Sequence, residues 1–175
     1  MDWLLTVPML LIELILVMGL DDATTTATCW KLGSAAALMI VLGYPGEISE
    51  NMSTRWLFWV LAMIPFCYIC YELFVGLKDA VDKQPANARG LVSNARYVTI
   101  ISWLTYPFVY VIPMFGVSGA SALVGVQIGY SISDVISKCG VGLMITKIAM
   151  LKSRGSADSL IQGGGGGGSE SYLPA

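Results

Sequence analysis

The strongest constraint on this chain is a lysine inside an apolar run. From Ser121 to Ile145 the sequence is long and apolar enough to cross a bilayer, and Lys138 falls well inside it. Crossing takes about 20 residues. An ammonium at that depth costs at least ~2.5–3.5 kcal/mol, so it needs a partner or a chemical task. Asp134 lies four residues earlier, one helical turn away on the same face. A buried amine beside a carboxylate is either a structural ion pair or a nucleophile that condenses with a carbonyl ligand. In the second case the carboxylate serves as counter-ion.

Composition agrees with a membrane setting. Of 175 residues only 13% are charged, against about 25% in soluble domains, and the mean hydropathy is +0.70. The expected fold class is all-α, one transmembrane helical bundle. The absence of histidine removes imidazole metal sites and imidazole acid–base chemistry. A net charge of −2 carries no nucleic-acid footprint. Cys67 and Cys70 have redox-motif spacing, but their apolar surroundings favour packing. The N-terminal stretch, with Asp2 and Glu13 and no basic region, does not read as a signal peptide.

Five spans can be drawn: about residues 1–20, 29–44, 55–77, 97–117 and 120–151. Asp21, Asp22 and a threonine cluster read as a solvated loop, Pro45-Gly46 as the stop of the second span, and residues 78–96 as a longer loop. Residues 1–153 form the membrane domain. Residues 154–175, with glycines at 163–168, read as a flexible tail. Alternating the loops puts Lys31, Lys78, Lys83, Arg89, Arg96, Lys147, Lys152 and Arg154 on one side and only Arg55 on the other. The basic side is expected to be cytoplasmic, with the C-terminus on it. Glu72 reads as a headgroup-level carboxylate on that side.

Polar residues inside the spans form stripes. Asp2 and Thr6 are four apart, and Glu13 returns to their face three turns on, about 16 Å away. Two carboxylates at two depths suggest a proton path, with Glu13 expected in an apolar setting that favours its protonated form. The bland alternative is a solvated terminal Asp2 and a Glu13 that only contacts another helix. Pro8 is expected to kink the first span. Trp103, Tyr106 and Tyr110 recur at helical spacing, and Trp59 and Tyr68 are placed to face the same interior. Such a stripe suits either a core or a flat conjugated ligand.

Together these residues resemble the microbial (type 1) rhodopsins, in particular the proteorhodopsin- and xanthorhodopsin-like proton pumps. Asp2-Trp-Leu-Leu-Thr-Val-Pro-Met-Leu-Leu-Ile-Glu13 is similar to the third-helix signature of that group. Gly43-Tyr-Pro-Gly-Glu47 and Tyr71-Glu-Leu-Phe74 look like the ends of its fourth and fifth helices. Trp103-Leu-Thr-Tyr-Pro107 is similar to its sixth, and Ser133-Asp-Val-Ile-Ser-Lys138 to its retinal attachment sequence.

The resemblance implies retinal, all-trans, held by Lys138 as a Schiff base, in a lipid bilayer and with protons as the transported species. It implies Asp134 as one counter-ion and Asp2 as the other and as proton acceptor, with Thr6 hydrogen-bonded to Asp2. Glu13 would be the cytoplasmic-side proton donor. Trp3, Trp59, Trp103, Tyr106 and Tyr110 would line the pocket, and Leu10 would tune absorption toward green. Family members have seven helices, so five spans imply a partial sequence beginning in the third, without the Arg-Tyr pair that usually precedes the acceptor. The Asp–Thr–Glu triplet favours outward proton pumping. A sensory photoreceptor signalling through a partner is the alternative, and a non-retinal transporter or structural subunit the third reading. Ordinary enzymatic turnover has little support, and a homo-oligomer is left open.

Overall fold

The computed structural model describes the backbone of residues 2–116 and 119–164, and the side chains of residues 3–116, 119–120 and 123–158. The described backbone is helical almost throughout. Helix α1 spans Asp2–Met18, α2 Asp22–Glu47 and α3 Met52–Tyr71. A π turn, Glu72–Gly76, extends α3, and the short α4 covers Lys78–Asp82. Helix α5 spans Ala86–Val111 and ends in a 3-10 turn, Ile112–Phe115. Helix α6, Ala120–Asp134, continues through a second π turn, Val135–Gly140, into α7, Val141–Gly164.

Helices Asp22–Glu47, Met52–Gly76 and Ala86–Phe115 are long and apolar enough to cross a membrane, and Trp3–Met18 is a shorter apolar helix. Large apolar side chains cover the outside of the bundle: Leu5, Trp30, Phe108 and Leu143 are each at least two-thirds exposed. A soluble protein rarely presents so much continuous apolar surface. In lipid that surface costs nothing, and the helices associate by packing and interhelical hydrogen bonds. The interior is built from Leu11, Leu14, Ile15, Leu32, Ile69, Leu73, Val92 and Ile148, all fully buried or nearly so. Helix α1 packs against α2 and α7, α2 against α3, and α5 against α6 and α7.

The element boundaries differ from the sequence expectation for local reasons. The threonine cluster joins α2, because the Asp21 carboxylate accepts from the Thr24 amide at 2.9 Å and caps the helix there. Pro45 and Gly46 lie inside α2, which ends only at Glu47. Most of the loop expected at 78–96 is helical: Pro85 pre-sets the backbone, and α5 starts at the next residue. Helix α7 runs past Ser153 to Gly164, and the remaining glycine-rich tail lies outside the described residues. Helix α1 passes through Pro8 as one helix, although Pro8 cannot donate to the Leu4 carbonyl.

One end of the bundle gathers basic and amide side chains. Lys31 bonds Glu72 at 2.6 Å, Lys152 donates to the Val17 carbonyl at 2.5 Å, and Gln84 donates to the Met18 carbonyl at 2.6 Å. Lys31 and Lys152, assigned to one side by alternating the loops, are both tied down by such contacts. At the other end Gly46 is buried where α2 meets α3 and α5. A Cβ there would collide with the Tyr110 hydroxyl and lie 2.9 Å from Phe58 Cβ.

Two outcomes follow. Gly46→Ala, which at an ordinary helix position would stabilise, should instead cost roughly 1–3 kcal/mol by overpacking, read as a lower thermal midpoint in micelles. Donation from the Thr24 amide holds the Asp21 carboxyl below the ordinary carboxylate range. A carboxyl lowered by folding stabilises above its unfolded pKa of about 3.9 and loses that contribution as the pH falls through its folded value. Amide protection in the first turn of α2, taken relative to intrinsic exchange at each pH, should therefore fall on acidification below about pH 4, and Asp21→Ala should remove that fall.

Candidate functional site

A cluster of polar side chains centres on Asp134, at the end of α6. The Lys138 ammonium lies 3.3 Å from Asp134 Oδ1. Trp3 of α1 donates its indole N–H to the same carboxylate, at 3.2 and 3.3 Å from its two oxygens. Tyr106 of α5 donates its hydroxyl to Oδ1 at 2.6 Å, and that hydroxyl lies 2.8 Å from Ser137 Oγ. One carboxylate thus joins three helical elements. Attraction between opposite charges at such a distance is much stronger here than in water.

Lys138 sits in the π turn Val135–Gly140 rather than in regular α-helix. A π turn adds a residue to one helical turn and re-aims the side chains that follow, and such turns occur often at functional sites. Ser137 and Ser133 are buried beside it. Ser133 donates to the Gly129 carbonyl, and its hydroxyl lies 2.7 Å from that of Thr105. These serines satisfy backbone and side-chain groups in an interior without solvent.

Next to this cluster is a cavity of ≈ 320 Å³, its wall almost wholly apolar. Trp3, Trp59, Trp103, Tyr106 and Tyr110 all line it, together with Met39, Met63, Phe66 and Tyr130. The size falls in the range of pockets for elongated organic ligands, roughly 300–1,000 Å³. Trp3, Tyr106 and Tyr130 form an aromatic cluster at one wall, with centroids 4.9 Å apart for Trp3 and Tyr130 and 5.4 Å for Trp3 and Tyr106. Lys138 is not itself a wall residue. Its partner Asp134 is held by Trp3 and Tyr106, which are, so the amine stands just behind the aromatic wall.

Two sequence expectations need correction. Leu10 does not line the cavity; it is half-buried and packs against the core instead. Tyr68 faces away, with the Lys31 ammonium 5.6 Å from its ring centroid. Glu13 is exposed on the face of α1 that Met9 and Leu16 share, outside the core-facing stripe of Leu11, Leu14, Ile15 and Met18. Thr6 is half-buried on α1, one turn from Asp2. The Asp2 side chain lies outside the described residues.

Tyr130, Ser133 and Ser137 were missed. The signal was present: Tyr130, Ser133, Asp134 and Ser137 recur every three or four residues and form one polar stripe. Glu47, whose carboxylate accepts from the Tyr130 hydroxyl at 3.2 Å, also borders the cavity. Among the described residues no cluster of metal-ligating side chains is present.

A family model for bacteriorhodopsin-like proteins matches residues 1–151. Bacteriorhodopsin from Halobacterium salinarum (strain ATCC 700922 / JCM 11081 / NRC-1) is 30% identical over 146 residues, 83% of this chain and 54% of that protein. The green-light absorbing proteorhodopsin of Gamma-proteobacterium EBAC31A08 is 29% identical over 153 residues, 87% of this chain and 60% of that one. The crystal structure of xanthorhodopsin, a light-driven ion pump with dual chromophore, superposes with a TM-score of 0.84 at 46% identity, covering 89% of this chain and 63% of that one. The chain thus spans little more than half the length of the curated relatives it matches.

Tyr106→Phe should remove the donations to Asp134 and Ser137 together and keep the ring in the wall. The expected cost is about 1–2 kcal/mol, toward the low end for bonds to a charged group because Asp134 is part-exposed, measured by denaturant unfolding in micelles. Phe108→Tyr, on the exposed face of the same helix, should cost nothing measurable.

Proposed function

Because the chain belongs to the bacteriorhodopsin-like family, we propose that it forms the retinal-binding part of a light-driven outward proton pump, with its helices corresponding to the third to seventh of seven. One observation carries this reading: Lys138 and Asp134 are paired at 3.3 Å, and the two side chains that hold Asp134 also line an aromatic cavity. The residues present fit retinal. An apolar aromatic slot suits a conjugated chain, and a primary amine with a carboxylate beside it suits covalent attachment to an aldehyde.

Lys138 would hold retinal, and Trp3, Trp59, Trp103, Tyr106 and Tyr110 would enclose it. When bound, retinal supplies light absorption and an isomerisation that changes where the proton on the lysine nitrogen points. Asp134 keeps a negative charge beside that nitrogen, positioned by Trp3 and Tyr106. Asp2 would accept the proton, with Thr6 as its hydrogen-bond partner one turn along α1. Glu13 would return a proton from the other side of Lys138, three turns along α1 from Asp2. Direction would come from the two carboxylates lying at different depths of one helix. Moving one charge against 100 mV costs about 2.3 kcal/mol, small beside the energy of a visible photon. The cluster of basic side chains at the end shared by Lys31, Gln84 and Lys152 supports a cytoplasmic C-terminus.

The test is a visible spectrum after adding all-trans retinal to membranes that contain the chain co-expressed with a two-helix piece of a related opsin. A visible band that disappears in Lys138→Ala is expected; a band that survives that substitution overturns the attachment site. Under illumination Glu13→Gln should slow proton return roughly a hundredfold, the scale of a lost general acid. A photocycle without sustained pH change, unaltered by Glu13→Gln, would favour a sensor instead.

A further inference from the structure

At the basic end of the bundle, α4 and the first half of α5 enclose a second cleft of ≈ 500 Å³ that the proposed photochemistry does not use. Lys78, Arg89 and Arg96 line it, with Asp82 as its one carboxylate, and Phe74 and Tyr97 form its outer edge. Arg96 decides its character. The residue is 5% exposed, so its guanidinium is withdrawn from water. One of its nitrogens donates to the Leu73 carbonyl at 2.8 Å, inside the π turn after α3. Its Nε is buried and has no hydrogen-bond partner, and Arg96 makes no ion pair among the described residues. Asp82, the carboxylate of the cleft, acts on that guanidinium through space without an ion-pair contact, and a buried cation so loosely compensated is unfavourable, since buried charges are normally paired. Arg89, which is exposed, donates to the Gln84 carbonyl at 3.3 Å and makes no ion pair among the described residues.

Three cations against one carboxylate leave the cleft with a surplus of two positive charges. A guanidinium offers planar, paired N–H donors that match phosphate oxygens, and lysine adds a mobile point charge. The cleft also opens onto apolar surface: Phe74 and Tyr97, 37% and 47% exposed, pack with ring centroids 5.2 Å apart, and Ile101 is exposed one turn farther along α5. A phosphate in the cleft would thus have a place beside it for hydrocarbon. Basic pockets at the cytoplasmic ends of membrane helices bind lipid headgroups through this combination.

We propose that the α4–α5 cleft is a binding site for the phosphate of an anionic phospholipid headgroup, with Arg96 as its buried anchor and Lys78 and Arg89 as its outer clamps.

Native mass spectrometry of the full 175-residue chain, released from micelles doped with phosphatidylglycerol or phosphatidylcholine, tests this. Phosphatidylglycerol should be retained preferentially. The double variant Lys78→Gln/Arg89→Gln should weaken its retention roughly thirtyfold, the effect of two cations near an anionic lipid. Lys147→Gln, an exposed cation on α7, should leave it unchanged. Arg96→Gln should abolish retention; since Arg96 also supports the Leu73 carbonyl, its helicity is checked by circular dichroism, and the double variant carries the test if it misfolds. Equal retention of both lipids, or retention unaffected by the double variant, overturns the site. Displacement of phosphatidylglycerol by millimolar inorganic phosphate, with no lipid preference left, overturns the lipid as its source.

Discussion

An ion in a hydrocarbon interior must be paired, and most of what is distinctive in this molecule follows from that requirement. Lys138 lies inside a long apolar run, and Asp134 is the carboxylate that answers it at 3.3 Å. The pair alone would still leave the second carboxylate oxygen wanting donors. Trp3 reaches that oxygen from α1, and Tyr106 adds a donor to the first oxygen from α5. The cost of the charge is therefore met by drawing α1, α5 and α6 together at one point. The aromatic rings that carry those donors are the same rings that wall the cavity. Charge compensation and pocket formation are one arrangement.

The same rule governs the backbone. Helices that cross lipid must satisfy their own amides and carbonyls, and irregular backbone is tolerated where protein supplies the missing partners. The π turn after α3 obeys this: its buried Leu73 carbonyl accepts from Arg96. At the second π turn, Ser137 lies within the turn and meets the Tyr106 hydroxyl, and Ser133, just before it, bonds the Gly129 carbonyl. Each π turn has a cation at it, Arg96 at the first and Lys138 at the second. The two ends of the bundle differ correspondingly. One is tied by Lys31–Glu72, Lys152–Val17 and Gln84–Met18, the other by aromatic packing around Gly46, Tyr110 and Trp56.

Much of this was legible without coordinates, because the physics involved is local. A period of four residues places Asp134 beside Lys138, and helical spacing puts Trp103, Tyr106 and Tyr110 on one side of α5. Trp3, Trp59, Trp103, Tyr106 and Tyr110 border one cavity. Leu10 fails because a helical face is broad and only part of α1 meets the cavity. Element ends were misjudged where a single cap outweighed composition, as Asp21 does for the threonines of α2 and Pro85 for the start of α5.

The sequence by itself determined that the chain is helical, that its helices face lipid, and that a lysine and a carboxylate share a turn inside it. Those outcomes rest on hydropathy, periodicity and the cost of an unpaired charge, all of which act within a few residues. Only the tertiary structure decided which donors reach Asp134, that Tyr130 joins Trp3 and Tyr106, that Lys138 stands in a π turn, and that Arg96 is buried beside a basic cleft. These depend on residues separated by up to 131 positions in the chain meeting across helix interfaces. No local pattern encodes such a meeting, because it is set by how whole helices pack.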